Sequence, residues 1–198
     1  MSRKLILLVA IGLVLLVSAA ITLRSPSKEP SVDPVITEVA GDKLIAGYKQ
    51  WTRVNPQPAM VPAQVSQLCA APLLRPAGPD SPHGPEGKYI TVYVNETGRH
   101  AMMEEATPHF PPGSIVVKEK LTTPTSATPE LLTVMFKRER GYNPDSGDWE
   151  YMVIDGTGKS VQARGKLENC QSCHVMEKDT DYIARTYLSF ADRAKLKQ

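Results

Sequence analysis

Short apolar runs, separated by polar stretches rich in proline and glycine, occupy the middle of the chain. Tyr89-Ile90-Thr91-Val92-Tyr93-Val94 is the first of them, built from the β-branched and aromatic residues that suit a pleated, half-buried surface. Ser114 to Leu121, Leu131 to Lys137, Trp149 to Ile154 and Ser160 to Ala163 repeat the pattern. Asn95 to Gly98, Asn143-Pro144-Asp145-Ser146-Gly147 and Asp155-Gly156-Thr157-Gly158 punctuate it as turns. Five short strands with turn-length or loop connections predict an antiparallel sheet.

Helical periodicity flanks this strand-rich centre. Leu44, Ile45, Tyr48 and Trp51 fall at helical offsets behind Asp42, a residue able to cap a helix, so Asp42 to Trp51 reads as a short amphipathic helix that Pro56, Pro58 and Pro62 end. Pro72 to Gly87 is a proline- and glycine-rich loop. Near the C-terminus Tyr182, Ile183, Thr186 and Tyr187 again recur at helical spacing, with Leu188 and Phe190 extending the apolar surface. The predicted class is α+β: a mainly antiparallel β-sheet flanked by short N- and C-terminal helices, without an internal repeat.

The first residues have a different character. Arg3 and Lys4 precede an uncharged apolar run from Leu5 to Leu23, the pattern of an export signal. Ser18-Ala19-Ala20 offers small residues for cleavage, yet the run is about as long as a bilayer-spanning helix needs, so residues 1–23 read as a signal peptide or as an N-terminal membrane anchor. Both readings leave the positive flank inside and the remainder outside the cytoplasm: a periplasmic chain, soluble after cleavage or tethered to the inner membrane. Residues 24–41, with Arg24-Ser25-Pro26-Ser27-Lys28-Glu29-Pro30, read as a polar, proline-containing linker. Residues 42–198 suffice for one domain with a single core. The formal charge is +2, and removal of a signal peptide carrying Arg3 and Lys4 would cancel it. Such a balance argues against a nucleic-acid partner.

Cys170-Gln171-Ser172-Cys173-His174 brings in the chemistry, because two cysteines three apart followed directly by histidine is the attachment signature of a c-type haem. The i, i+3 offset puts both sulfurs on one side of a helical turn, where each can add to a vinyl group of the same porphyrin. His174, next along the turn, can supply the proximal imidazole to iron. One such pentapeptide predicts one covalently attached haem c. A zinc site would require further cysteines or histidines at ligand spacing, whereas Cys69, His83, His100 and His109 are scattered through loop-like sequence. A thioredoxin-like redox pair would sit early in a βαβ pattern, not after a run of strands. Cys69, left over once the haem takes two thiols, reads as a buried small hydrophobe or an intermolecular link.

Further landmarks then recur in a recognisable order. Tyr48-Lys49-Gln50-Trp51, Thr91-Val92-Tyr93-Val94-Asn95, Phe110-Pro111-Pro112-Gly113-Ser114-Ile115-Val116-Val117-Lys118-Glu119, Gly147-Asp148-Trp149 and the late haem motif together resemble the cytochrome P-460 and cytochrome c′-beta family over roughly Asp42 to Leu188. The resemblance implies a mostly antiparallel β fold, often dimeric, holding a five-coordinate haem with histidine on one side and an open face on the other. Members with that open face bind nitric oxide or oxidise hydroxylamine. Lys118 corresponds to the lysine that forms a covalent bond to the porphyrin rim in the cytochrome P-460 branch; read without the resemblance, it is an ordinary surface lysine. Counting back from Trp149, the distal carboxylate of hydroxylamine-oxidising members falls at about Thr133, which cannot accept a proton as a carboxylate does. Glu130 or Glu139 would substitute in a different register.

The expectation is thus an exported monohaem cytochrome with an open iron face for nitric oxide, hydroxylamine or a related small ligand, served by a periplasmic redox partner. The alternative is an electron carrier in which a methionine closes the sixth position. Met176 is too near His174 to reach the opposite face, which leaves Met60, Met102, Met103, Met135 and Met152.

Overall fold

A computed structural model of the chain describes residues 43–62 and 87–196. The apolar N-terminal run, the linker, Asp42, Cys69, His83 and nearly all of the Pro72 to Gly87 loop lie outside the described residues. No helix among the described residues is long and apolar enough to cross a membrane.

Strands β1 (Thr52–Arg53), β2 (Ala59–Val61), β3 (Lys88–Val94), β4 (Ile115–Leu121), β5 (Leu131–Lys137), β6 (Trp149–Asp155) and β7 (Val161–Gly165) form one antiparallel sheet. Its order is β1-β3-β4-β5-β6-β7, with β2 also pairing β3. The five strands expected from the sequence are β3 to β7, within one or two residues at each end. The two short strands came from the stretch around Pro56 and Pro58. There Asn55, buried, donates to the carbonyls of Gln57 and Ile90 and accepts from the amide of Val92, fastening an irregular segment to the edge of β3.

Alternation along the strands gives the sheet two buried faces. One carries Ile90, Val92, Val94, Val116, Met135, Trp149 and Tyr151, packed with Phe110, Met102 and the C-terminal Ile183 and Leu188. The other carries Val117, Leu132, Val134, Met152 and Ile154 under Ile45 and Tyr48. The functional features described below belong to the first face.

Local structure departs from the sequence reading in three places. The expected N-terminal helix is interrupted: Lys43 and Leu44 are helical and Tyr48–Gln50 form a 3-10 turn, because Gly47 between them adopts a left-handed conformation (φ 72°) that breaks an α-helix. Ile45 and Tyr48 are buried nonetheless. Asn95 does not open a turn. It caps helix α1 (Glu96–Met103), its side-chain oxygen accepting from Gly98 N at 3.1 Å and from Ile115 N at 2.9 Å, so that one residue joins the end of β3, the start of α1 and the start of β4. At the C-terminus α2 (Glu168–His174), a 3-10 segment (Val175–Thr180) and α3 (Phe190–Lys195) are helical, but Tyr182 to Tyr187 are not. Asp181 and Tyr182 both take positive φ, 51° and 64°, which ends the helical path there.

Candidate functional site

Helix α2 lies over the first sheet face and delivers the haem motif to a cavity of about 350 Å³. Its placement depends on the preceding loop. Asn143 donates to the Trp149 carbonyl at 3.0 Å and to Gln171 Oε1 at 3.1 Å, and Gln171 Nε2 donates back to the Lys166 carbonyl. Gln171, the residue between Cys170 and Ser172, therefore secures the turn that carries both thiols. Cys170 and Cys173 are half-buried and not joined in a disulfide, and both line the cavity.

His174 completes this wall. Its Nδ1 lies 2.7 Å from the Tyr182 carbonyl, an acceptor only, so Nδ1 carries the proton and Nε2 keeps its lone pair. Burial holds the imidazole pKa down at about 4, and the Lys118 ammonium pushes the same way against the Tyr182 bond. The ring is therefore neutral at ordinary pH, the form that ligates metal. Tyr151 packs against it at a centroid distance of 5.6 Å and is itself fixed by Ser146 Oγ at 2.7 Å.

The opposite wall is the sheet. Val92, Lys118, Thr133 and Val153 are consecutive cross-strand partners on β3, β4, β5 and β6, and all four line the cavity. Directly opposed residues share a face, so Lys118 and Thr133 form the polar middle of an otherwise apolar rung. Val116, Met135 and Tyr151 make the next rung. The structure thus brings together Lys118, Thr133, Cys170, Cys173 and His174. Glu130 is instead tied to Lys88 at 3.0 Å and Lys120 at 3.6 Å, and neither it nor Glu139 lines the cavity. His100 pairs with Glu104, and His109 is exposed. Among the methionines considered as ligands, Met102, Met135 and Met152 line the cavity, whereas Met60 is 65% exposed and outside it.

Sequence reasoning missed three parts of this site. Glu177 is the carboxylate that lines the cavity among the described residues. Its only sequence signal is its position three residues after His174, one helical turn on. Ile183, Ala184 and Tyr187 close one side from a non-helical segment. The third part is the support beneath Tyr182: the Asp181 carboxylate accepts from Lys137 Nζ at 2.7 Å and from Phe110 N at 2.8 Å, and Trp149 Nε1 donates to the Asp181 carbonyl at 2.8 Å.

Two thiols and an imidazole with an available Nε2, converging on an apolar cavity of ligand size, suit a porphyrin whose iron takes one axial nitrogen. That donor set and its surroundings define a haem-binding protein of the c type. The chain matches the cytochrome P460 family over residues 45–184, and it belongs to that family. The family is one of haem c proteins, so the cofactor is haem c. No curated protein matches the chain.

Proposed function

We propose that the cavity holds one haem c attached through thioether bonds from Cys170 and Cys173, with His174 as proximal ligand, and that the protein binds nitric oxide or a related small nitrogen or oxygen ligand on the opposite, open face. The observation carrying this reading is the geometry of His174. Its Nδ1 is engaged by Tyr182 at 2.7 Å, which leaves Nε2 for iron beside both thiols. The haem supplies an iron centre that binds such ligands and exchanges single electrons.

The chain's own residues orient and select. Val92, Val116, Met135 and Val153 exclude water from the sheet side. Lys118 stands on the same rung as Thr133 and lines the same cavity, and we assign it the covalent bond to the porphyrin that the likeness to the cytochrome P-460 branch implies. Thr133 has a hydroxyl that can donate to a bound ligand but no basicity to take a proton from hydroxylamine nitrogen. Ligand binding is therefore favoured over hydroxylamine oxidation. A periplasmic location, whether signal-cleaved or tethered, a periplasmic redox partner and a homodimer belong to the same proposal, supported by the apolar N-terminal run and the family likeness. Residues 1–23, 24–41 and 42–198 are assigned accordingly to signal or anchor, linker and haem domain.

A second reading, an electron carrier with a methionine sixth ligand, is favoured by Met102 and Met135, whose buried side chains line the cavity. Visible spectra of ferric and ferrous protein, with and without nitric oxide, separate the two. A high-spin spectrum that changes with nitric oxide supports the open site, and a sharp low-spin spectrum indifferent to it supports the methionine ligand. A broad, red-shifted ferrous band that Lys118→Ala abolishes identifies the lysine bond.

A further inference from the structure

The carbonyl that fixes the His174 tautomer belongs to an improbable piece of backbone. Asp181 (φ 51°, ψ 43°) and Tyr182 (φ 64°) are consecutive non-glycine residues in the left-handed region, where Cβ crowds the following carbonyl and each residue must be held by its surroundings. Several groups hold this pair. Lys137, at the end of β5, places Nζ 2.7 Å from both carboxylate oxygens of Asp181, and the two side chains are 8% and 9% exposed. Phe110 N donates to the same carboxylate and Trp149 Nε1 to the Asp181 carbonyl. The Lys137 ammonium also lies 4.9 Å from the centre of the Trp149 ring. Tyr182 N donates to the Glu177 carbonyl at 2.8 Å.

We propose that the buried Lys137–Asp181 ion pair, with Trp149, is a positioning device for the axial histidine: it holds Tyr182 in its left-handed turn so that the Tyr182 carbonyl keeps a short bond to His174 Nδ1. The inference rests on the haem reading only for its consequence at iron. Outer partners of a ligating histidine fix its orientation and raise its basicity. A short bond from Nδ1–H to a carbonyl makes the imidazole a stronger donor, which favours the ferric state. Lys137 and Asp181 are positioning residues, because neither lines the cavity.

Asp181→Asn keeps the shape and an acceptor for Phe110 N while removing the charge that faces Lys137. In haem-loaded protein it is expected to shift the ferric–ferrous equilibrium toward ferrous by about tenfold, a rise in midpoint potential of about 59 mV for one electron, and to lower the iron–histidine stretching frequency. Lys137→Arg, which retains the charge, stays near wild type, and Lys137→Met follows Asp181→Asn. Folded Asp181→Asn and Lys137→Met proteins with wild-type potential and stretching frequency overturn the proposal. If Asp181→Asn does not fold, Trp149→Phe, which removes the indole donor to the Asp181 carbonyl, is read in the same way and with the same two outcomes. In haem-free protein, nitrogen NMR of His174 gives an independent reading: a single Nδ1–H tautomer in wild type and a mixture in the variant support the device, and the same tautomer in both overturns it. Wild-type protein that takes up no haem refutes the haem reading alone, and the NMR comparison still decides the device.

Discussion

Gly147→Ala tests how tightly the turn below the candidate axial ligand is wedged. Gly147 has φ 59°, so alanine there carries the left-handed penalty, about 1–2 kcal/mol. Its Cβ would also lie 2.5 Å and 2.7 Å from two ring carbons of Tyr182. Carbon atoms in contact sit about 3.5–4.0 Å apart, so the ring must recoil by about 1 Å within a packed cluster, adding about 1–3 kcal/mol of overpacking. The expected total is about 2–5 kcal/mol, a large part of a domain stability of about 5–15 kcal/mol. Gly141 provides the internal control, since its φ is 94° and a Cβ there meets nothing within 4 Å. Gly141→Ala should show the backbone penalty alone. With a urea slope of about 2 kcal/mol per molar, the midpoint of Gly147→Ala should fall about 1–2.5 M below wild type and clearly below that of Gly141→Ala. Equal midpoints for the two variants would refute the claim that Gly147 and the Tyr182 ring are in obligatory close contact.

Four further outcomes are expected. His174→Ala should disrupt iron ligation, and Cys170→Ala or Cys173→Ala should weaken haem attachment; retention of wild-type haem spectra by all three variants would contradict the site. Thr133→Glu places a proton acceptor on the rung shared with Lys118 and should raise hydroxylamine oxidation by about 10²-fold or more, whereas an unchanged rate would remove Thr133 from the neighbourhood of the ligand. Burial pushes the Tyr151 phenol up to about 12, above the ordinary value of 10.0. Its contribution to stability is therefore complete below pH 10 and lost as pH rises through 12, and phenolate absorbance should show Tyr151 ionising about two units above the exposed tyrosines. Burial and the adjacent Glu119 carboxylate, which accepts its hydroxyl at 2.7 Å, raise Tyr48 further, so Tyr48 should ionise after Tyr151 or only on unfolding.

Local composition carried most of the strand positions. Runs such as Tyr89 to Val94 and Leu131 to Lys137 are β-branched and apolar because each strand is buried on both faces, and polar residues mark where they end. The haem motif was legible because its chemistry is confined to five consecutive residues, and Lys118 and Thr133 came from the order of family landmarks. Their direct pairing on adjacent strands required the register of β4 and β5. The segment after the motif misled for a physical reason. Tyr182, Ile183 and Tyr187 have helical spacing, but the Asp181 carboxylate is bound by Lys137, 44 residues away, and by Phe110 N, 71 residues away. Tertiary bonds over such distances override a local periodicity and leave no local trace. Asn95 misled in a related way, since asparagine suits both a turn and a helix cap, and the amide of Ile115, 20 residues on, is part of what it satisfies.

In the proposed site Cys170 and Cys173 hold a haem covalently in the cavity beside His174. Intact-mass measurement of protein produced by export through a c-type haem maturation pathway, after acid–acetone extraction of any loose haem, tests it most directly. The expected mass is that of the mature chain plus one haem, and replacing both cysteines removes the haem increment. The mass of the bare chain with two free thiols would contradict it.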